Sequence, residues 1–483
     1  MQKFNKKLFI LSLLIVVIGT CLYRFPSDDG LRHIGMAFGD FESWGDVYPF
    51  SQFEAFRDYD PWFGYDLTLR AIAAGLQWIS LPPFLSRFLL AKVVLLLFSM
   101  VFFYLVLQRS GILEEIKDRD TFTLAGIIIF VFLVLSFLRI TIIRPFAFGS
   151  FFLLYAVGQK GVVRGALSSG ILMFFYPYLA WFYTIPVAFA HFVKGDKRFA
   201  AGAVSLTLLF LYFQPLSFWG FQVALFKSDL VRNVLNTKIG EFNSTFNNLP
   251  FYIYLSLFLI LFPLFSGEVK KLNIRNILIL IYLIPVLKYI RYFLDLTLPL
   301  LFVSFGREML KVLIEPYRKL VSYWANAFSR ALQRLKLPKM METAGSANIK
   351  PYLAIGYVFV FALLVHQSYE NFTTFKKFRD DLSIIPTGSL VLSDFNLQYK
   401  ILYLRPDLCV IPSCEMGFPA RGIKKEYIEF MNKGKVAALA RKTGAEFFLE
   451  NRHMYVDPED GKFLKLMGKS DKLRVWKIEQ GKQ

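Results

Sequence analysis

Cysteine is scarce, with three in 483 residues, and so is histidine, with four. Three cysteines exclude a disulfide scaffold. Cys21 lies in an apolar run and reads as a packing residue. Cys409 and Cys414, in "CVIPSC", either form a bridge in an oxidising compartment or stay as two thiols, since Pro412 limits how so short a loop can close. A zinc site needs more ligands than stand near them. The chain has no internal repeat or low-complexity stretch, and its tail from about residue 367 has no Gly-rich phosphate loop or nucleophile elbow. Charge is also thin, at 19% of residues.

Apolar residues fill that space: 55% are hydrophobic, 18% are aromatic and the mean hydropathy is +0.45. A water-soluble fold could not hide so much apolar surface, so an integral membrane protein in contact with a lipid bilayer is expected. The net charge of +20 would suit nucleic acid, but the basic residues cluster in short segments between apolar runs, which marks a cytoplasmic membrane face, and no nucleic-acid partner is expected. "LFILSLLIVVIGTCLY" (8–23) follows "KFNKK" with no small-residue cleavage site and reads as an uncleaved first helix. Further spans are expected near 88–107, 122–143, 146–158, 165–180, 182–193, 199–215, 251–266, 277–290, 293–306 and 351–366, about 11 in all. "KGDKR", "GEVKKLNIRN" and segment 307–350, with nine Lys or Arg and three Glu, share a side with the amino terminus, which makes that side cytoplasmic. Residues 24–87, 216–250 and 367–483 then lie outside. The compact design suggests a bacterial inner membrane with a periplasmic carboxyl-terminal domain.

The expected division is a transmembrane domain over 1–366, with a first external loop at 24–87, and an extracytoplasmic α/β domain over 367–483. In the latter, "GSLVLSD", "AEFFLEN" and "KLRVWKIE" read as strands, and "KKEYIEFMNKG" and "KVAALARKTG" as helices, the second capped by Gly444. "YWANAFSRALQRLKL", with Trp324, Phe328, Leu332 and Leu335 at helical spacing, reads as an interfacial helix or a solvated linker.

The first external loop concentrates polar residues. "FPSDDGLRHIGMAF" (25–38) places Asp28, Asp29, Arg32 and His33 at the end of the first helix, and "RDYDPWFGYDLTLR" carries Asp60, Pro61, Trp62 and Asp66. Asp29 suits an N-cap for a helix starting at Gly30, and Asp60 suits an N-cap before an N1 proline. Capping does not account for two adjacent aspartates with an arginine and a histidine one turn on, at a boundary where desolvating charge is costly. At least one of Asp28 and Asp29 is therefore expected to be functional. His33 would orient an acceptor or an aspartate, or be structural. The tryptophans, Trp44, Trp62, Trp78, Trp181 and Trp219 among them, mostly fit an interfacial belt, with Trp62 also able to stack on a sugar. Arg139 reads as a snorkelling residue.

An uncleaved first helix, an acidic external loop, many further helices and a soluble α/β tail resemble the GT-C integral-membrane glycosyltransferases. "DDG" is similar to the catalytic aspartate segment of bacterial oligosaccharyltransferases, and "DPWFGYD" resembles the Asp-Pro-aromatic-Phe segment of their archaeal and eukaryotic relatives. "RYFLDLTLP" (291–299) resembles the Arg-Tyr segment of the mannosyl and aminoarabinose transferases that use lipid-phosphate sugars. The resemblance implies transfer of a sugar from a polyprenyl-phosphate donor to a glycan, lipid or protein acceptor. Asp29 would be the base, Asp28 its support, and Arg144, Lys288 and Arg291 cations for the lipid phosphate, with Arg32, His33, Asp60, Trp62 and Tyr292 completing the substrate site. A divalent metal, Mg or Mn, is the one cofactor the resemblance allows. Two departures matter. The tail has no Trp-Trp-Asp motif, its one tryptophan being Trp476, which argues against sequon glycosylation. The turn "RITIIRPFAFG" carries Arg144 where relatives often carry a second carboxylate. A transporter is the rival class, although charges gathered at the external face and the long tail count against it. A non-catalytic scaffold of GT-C type is a second rival, and a polysaccharide polymerase or ligase is a third.

Overall fold

The structure, a computed structural model, describes residues 6–26, 29–50, 59–227, 273–288, 293–334, 350–393, 397–411, 421–451, 456–470 and 473–479. It is mostly helical, with one carboxyl-terminal sheet. In chain order the helices are α1 (Lys6–Tyr23), α2 (Asp29–Met36), α3 (Trp44–Val47), α4 (Phe63–Trp78), α5 (Pro83–Ser110), α6 (Arg119–Ile140), α7 (Ala147–Ala156), α8 (Val162–Phe175), α9 (Ala180–Val193), α10 (Lys197–Tyr212), α11 (Leu216–Lys227), α12 (Ile274–Lys288), α13 (Leu298–Arg334) and α14 (Lys350–Asp381). Every expected span falls on one of these, except 251–266, which lies outside the described residues. Residues 323–334 of the stretch expected as an interfacial helix or linker end the 37-residue α13, where Tyr323 and Trp324 are exposed, and the rest of that stretch lies outside the described residues.

The long helices bury one side and present apolar side chains on the other. On α5 the outward row is Val93, Leu97, Val101 and Tyr104; on α8 it is Val163, Leu167, Ile171 and Phe174. These rows run at helical spacing, so whole apolar faces stand outside the core. Between α8 and α10 the backbones nearly touch: a Cβ on Gly165 would overlap the Phe199 carbonyl oxygen, and one on Gly202 that of Val162. Small residues at such crossings are how helices pack where apolar surroundings leave no hydrophobic drive between them. Among the described residues α5 is long and apolar enough to cross a membrane, while Leu13–Tyr23, α7 and α8 are shorter apolar helices.

The tail holds β1 (Leu390–Ser393), α15 (Gln398–Leu404), β2 (Cys409–Ile411), α16 (Lys424–Lys433), α17 (Val436–Thr443), β3 (Phe447–Asn451), β4 (Leu464–Lys469) and β5 (Leu473–Ile478). The three expected strands and two expected helices are all present, and α17 ends on Gly444 with φ of 74°, the left-handed cap expected there. The sheet order is β2-β1-β3-β5-β4, with β1 parallel to β2 and β3, and β5 antiparallel to β3 and β4. Alternation along the strands divides their side chains between two cores. Leu392, Ile411, Phe448 and Ile478 pack with Phe430 and Leu439 of α16 and α17. Val391, Val410, Phe447, Leu449 and Val475 face the other way and join the core of the helical part. The tail is thus an α/β sheet with one face built into the rest of the molecule.

Candidate active site

Three things fix the segment that follows α1. Lys92 of α5 donates from Nζ to the carbonyl oxygens of Cys21, Leu22 and Arg24 at 3.1, 2.8 and 2.6 Å, placing a cation at the end of α1. A Cβ on Gly30 would overlap the Ile142 carbonyl oxygen, so the first turn of α2 lies directly against the turn between α6 and α7. Tyr65 of α4 donates its hydroxyl to the Ile143 carbonyl, 2.7 Å away. Ile143 has φ of 49°, a strained position for a β-branched residue that this bond and the α2 contact hold in place.

Between these supports Arg32 and His33 are fully buried. His33 Nδ1 lies 2.6 Å from Asp66 Oδ1, and Trp44 Nε1 donates to Asp66 Oδ2 at 3.1 Å. The His33 ring meets Trp44, Trp62 and Tyr65 edge to face, at centroid distances of 5.2, 4.9 and 5.2 Å. The Arg32 guanidinium carbon stands 5.2 Å from the Trp44 ring centre and 4.8 Å from that of Trp62. Burial pushes the Asp66 carboxyl up to about 8, against the opposing effects of the Trp44 hydrogen bond and the Arg32 and Arg70 charges. A carboxyl shifted towards neutrality inside a cluster of charge and aromatics makes this cluster a candidate site.

Asp60 accepts the Trp62 backbone N–H at 2.8 Å, and α4 starts at Phe63, two residues later than an Asp60 cap with an N1 proline would have it. Burial and the Asp66 carboxylate raise Asp60 well above its ordinary value. Tyr59 and Asp60 stand at one end of a cleft of ≈ 550 Å³, otherwise lined mainly by apolar residues, Phe63, Phe174, Leu206, Leu209 and Phe213 among them.

The structure therefore brings together Arg32, His33, Asp60 and Trp62. Asp29 opens α2, with only its backbone described, and Asp28 lies outside the described residues. Arg144 is buried against Phe146, 5.9 Å from its ring centre, on the turn that touches α2 and follows the carbonyl bonded by Tyr65. Lys288 ends α12 with its backbone alone described, and Arg291 and Tyr292 lie outside the described residues. Two readings change, for the tryptophans and Arg139, and one open alternative narrows, at Cys409. Trp44 and Trp62 are not belt residues but core partners of Arg32 and His33, whereas Trp78 and Trp219 are exposed as a belt requires. Arg139 does not snorkel: it is buried and bonds Asp295 through Nε at 2.7 Å and Nη2 at 3.0 Å. Cys409 is a free thiol whose Sγ lies 3.2 Å from the Asp46 carbonyl oxygen, and Cys414 lies outside the described residues.

Sequence reasoning passed over Asp66, although a signal was present. Asp66 shares the buried face of α4 with Leu69 and Ala73, at i+3 and i+7. A carboxylate on the apolar stripe of a helix must be protonated, paired or both. Among the described residues no three His, Cys, Asp or Glu side chains converge as a metal requires, and both Asp66 oxygens are engaged by His33 and Trp44.

One expected result follows from Asp66. Its carboxyl titrates near 3.8 when unfolded and near 8 when folded, so between those values the folded chain keeps a proton that the unfolded chain has lost. Its contribution to stability is complete below the first value, falls as pH rises towards the second, and is flat above it. The melting temperature of the wild type relative to Asp66→Asn should therefore fall between about pH 4 and pH 8. A difference constant with pH would rule out the shifted carboxyl.

No family model matches the chain, and no curated protein sequence matches it. Among solved structures similar to it is the Archaeoglobus fulgidus oligosaccharyltransferase in the apo form: 12% identity, TM-score 0.46, covering 94% of this chain and 70% of that one. ArnT from Cupriavidus metallidurans bound to undecaprenyl phosphate is 11% identical, with a TM-score of 0.45, covering 99% of both chains. The archaeal enzyme tethered to an acceptor peptide containing the NVT sequon via a disulfide is 12% identical, with a TM-score of 0.45, covering 91% of this chain and 69% of that one. These neighbours are GT-C glycosyltransferases, the class the sequence resembles. At such scores the likeness concerns the course of the chain alone, and the chemistry rests on the geometry of the site.

Proposed function

We propose that the chain is a polytopic membrane glycosyltransferase of GT-C type, which moves a sugar from a polyprenyl-phosphate donor to an acceptor hydroxyl at the extracytoplasmic face. One observation carries the reading: Arg32 and His33, one turn into α2 from Asp29, are buried in a single cluster with Asp66, Trp44 and Trp62. The outward apolar rows of α5 and α8 support a lipid setting for that cluster.

In this reading the acceptor oxygen forms its bond to the anomeric carbon while the bond from that carbon to the phosphate oxygen breaks. The hydroxyl proton passes to Asp29, with Asp28 in support, and the polyprenyl phosphate leaves with the bonding electrons. Its charge is met by Arg32 and Arg144, and by Lys288 and Arg291 at the approach to α13, since fixed cations act most strongly where water is scarce. His33 is held by Asp66 and so fixes the turn of α2 that carries Arg32. Trp62, Asp60 and Tyr292 bound the sugar, and the cleft behind Asp60 accepts the apolar chain.

The test is a transfer assay with purified full-length protein in lipid and a set of labelled polyprenyl-phosphate sugars. One donor should lose its label to an acceptor fraction, and Arg144→Ala should raise the apparent KM for that donor with the protein still folded. A protein that consumes none of the donors, yet is folded and lipid-embedded, would sink the reading.

A further inference from the structure

Helix α15 carries the tail into the site. Arg32 has a third aromatic neighbour, Tyr399 of α15, whose ring centre is 5.8 Å from the guanidinium carbon. Arg32 is fully buried and Tyr399 nearly so. Three rings, two from the external loop and one from the tail, thus surround one cation, and each ring–cation contact is worth more when desolvated.

The seating of α15 is close and specific. A Cβ on Gly35 would overlap the Leu402 carbonyl oxygen, so α2 and α15 meet backbone to backbone. Arg87 of α5 donates from Nη2 to the Leu404 carbonyl oxygen at 3.1 Å and so fixes the end of α15. The Tyr403 ring packs on Phe25 at 5.8 Å and on Phe375 of α14 at 5.5 Å between centroids. Beside α15, Arg405 donates to the carbonyl oxygens of Leu382 and Ile385 at 2.7 and 3.0 Å and to Asp407, which ties the helix to the end of α14. The tail's second core, under α16 and α17, lies on the opposite face of the sheet.

We infer that Tyr399 is a positioning residue: from the carboxyl-terminal domain it holds Arg32 in the orientation in which that arginine meets the donor phosphate. The tail is then a working part of the site and not an appended module. The phosphate in this inference rests on the proposed function, whereas the Arg32–Tyr399 coupling does not.

Two measurements on the full chain in lipid separate the two. The first needs no substrate: melting temperatures of wild type, Arg32→Met, Tyr399→Leu and the double variant. Coupled side chains should give a double variant whose shift is clearly smaller than the sum of the single shifts, and additive shifts would overturn the inference. The second is binding of undecaprenyl phosphate, without a sugar, to the same proteins. Tyr399→Leu should weaken it about tenfold, an effect on the scale of a desolvated cation–ring contact. Tyr399→Phe, which keeps the ring, should stay within about twofold of the wild type, a change too small to count as a lost contact. Equal loss in the Phe and Leu variants would overturn the positioning role in favour of the hydroxyl. A wild type that binds no lipid phosphate would sink the proposed donor, and the melting cycle would still decide whether Tyr399 positions Arg32. As a check on seating, Gly35→Ala, which pushes α15 away from α2, should weaken lipid-phosphate binding in the same direction as Tyr399→Leu; unaltered binding would count against the inference.

Discussion

Asp29→Asn should lower sugar transfer by about 10²-fold or more, the usual scale for loss of a general base, without unfolding the protein. The substitution separates the two roles open to this residue. Asp29 opens α2, where a side-chain oxygen can cap the helix, and asparagine caps about as well as aspartate. What asparagine lacks is charge and basicity. A residue that only caps would therefore leave the variant as stable and as active as the wild type. The surroundings make the comparison clean, because α2 is held at Gly30 by the Ile142 carbonyl, at Gly35 by α15, and in its middle by the His33–Asp66 bond. The helix does not depend on one cap, and lost activity would report on chemistry. Transfer measured beside melting temperature decides the matter: near-normal rates in both Asp29→Asn and Asp28→Asn would refute the base assignment and leave capping as the explanation.

Much of the architecture could be read from periodicity. Apolar runs marked the long helices, and composition marked the tail as α/β. Gly434 and Gly444, both at positive φ, end α16 and α17 where a glycine after a helical run is expected to. The stretch before α4 was less legible. The dipeptide Asp60-Pro61 suggested a helix start, but Asp60 spends an oxygen on the Trp62 N–H, and α4 begins beyond it. The site was half legible: the density of polar residues after α1 pointed to Arg32 and His33, yet nothing local shows what they touch. Asp66 is 33 residues from His33, and Tyr399 lies in the tail. Tryptophans near an apolar boundary suit a belt as well as a core, and the difference for Trp44 and Trp62 is decided by a buried arginine that packs between them.

Arg139 is the sharpest case of a partner hidden by sequence distance, and its removal should give the largest loss of stability. Its guanidinium makes two bonds to Asp295, 156 residues away, with both side chains buried among apolar helices. Cutting such a pair on one side leaves an uncompensated buried charge, at a cost of about 3–5 kcal/mol, whereas replacing both partners by apolar residues is often close to neutral. Arg139→Leu and Asp295→Leu should each destabilise the protein by that amount. The double variant should recover most of the loss, where simple addition would give about twice the single value. Equilibrium unfolding in mixed micelles measures all four proteins; a double variant no better than the worse single one would mean that the pair is not the source of the effect. The consequence reaches the site as well. Asp295 sits in the wide helical turn Phe293–Thr297 that leads into α13, and its carbonyl accepts the Ser150 hydroxyl. Arg139 also lies 4.8 Å from the ring centre of Phe146, the ring that Arg144 packs against. The pair thus ties the approach to α13, where Arg291 and Tyr292 precede the turn, to the segment that carries Arg144. On the proposed function, a double variant that regains stability should still show a raised donor KM, because leucines can fill the space but cannot hold the segment that carries Arg144.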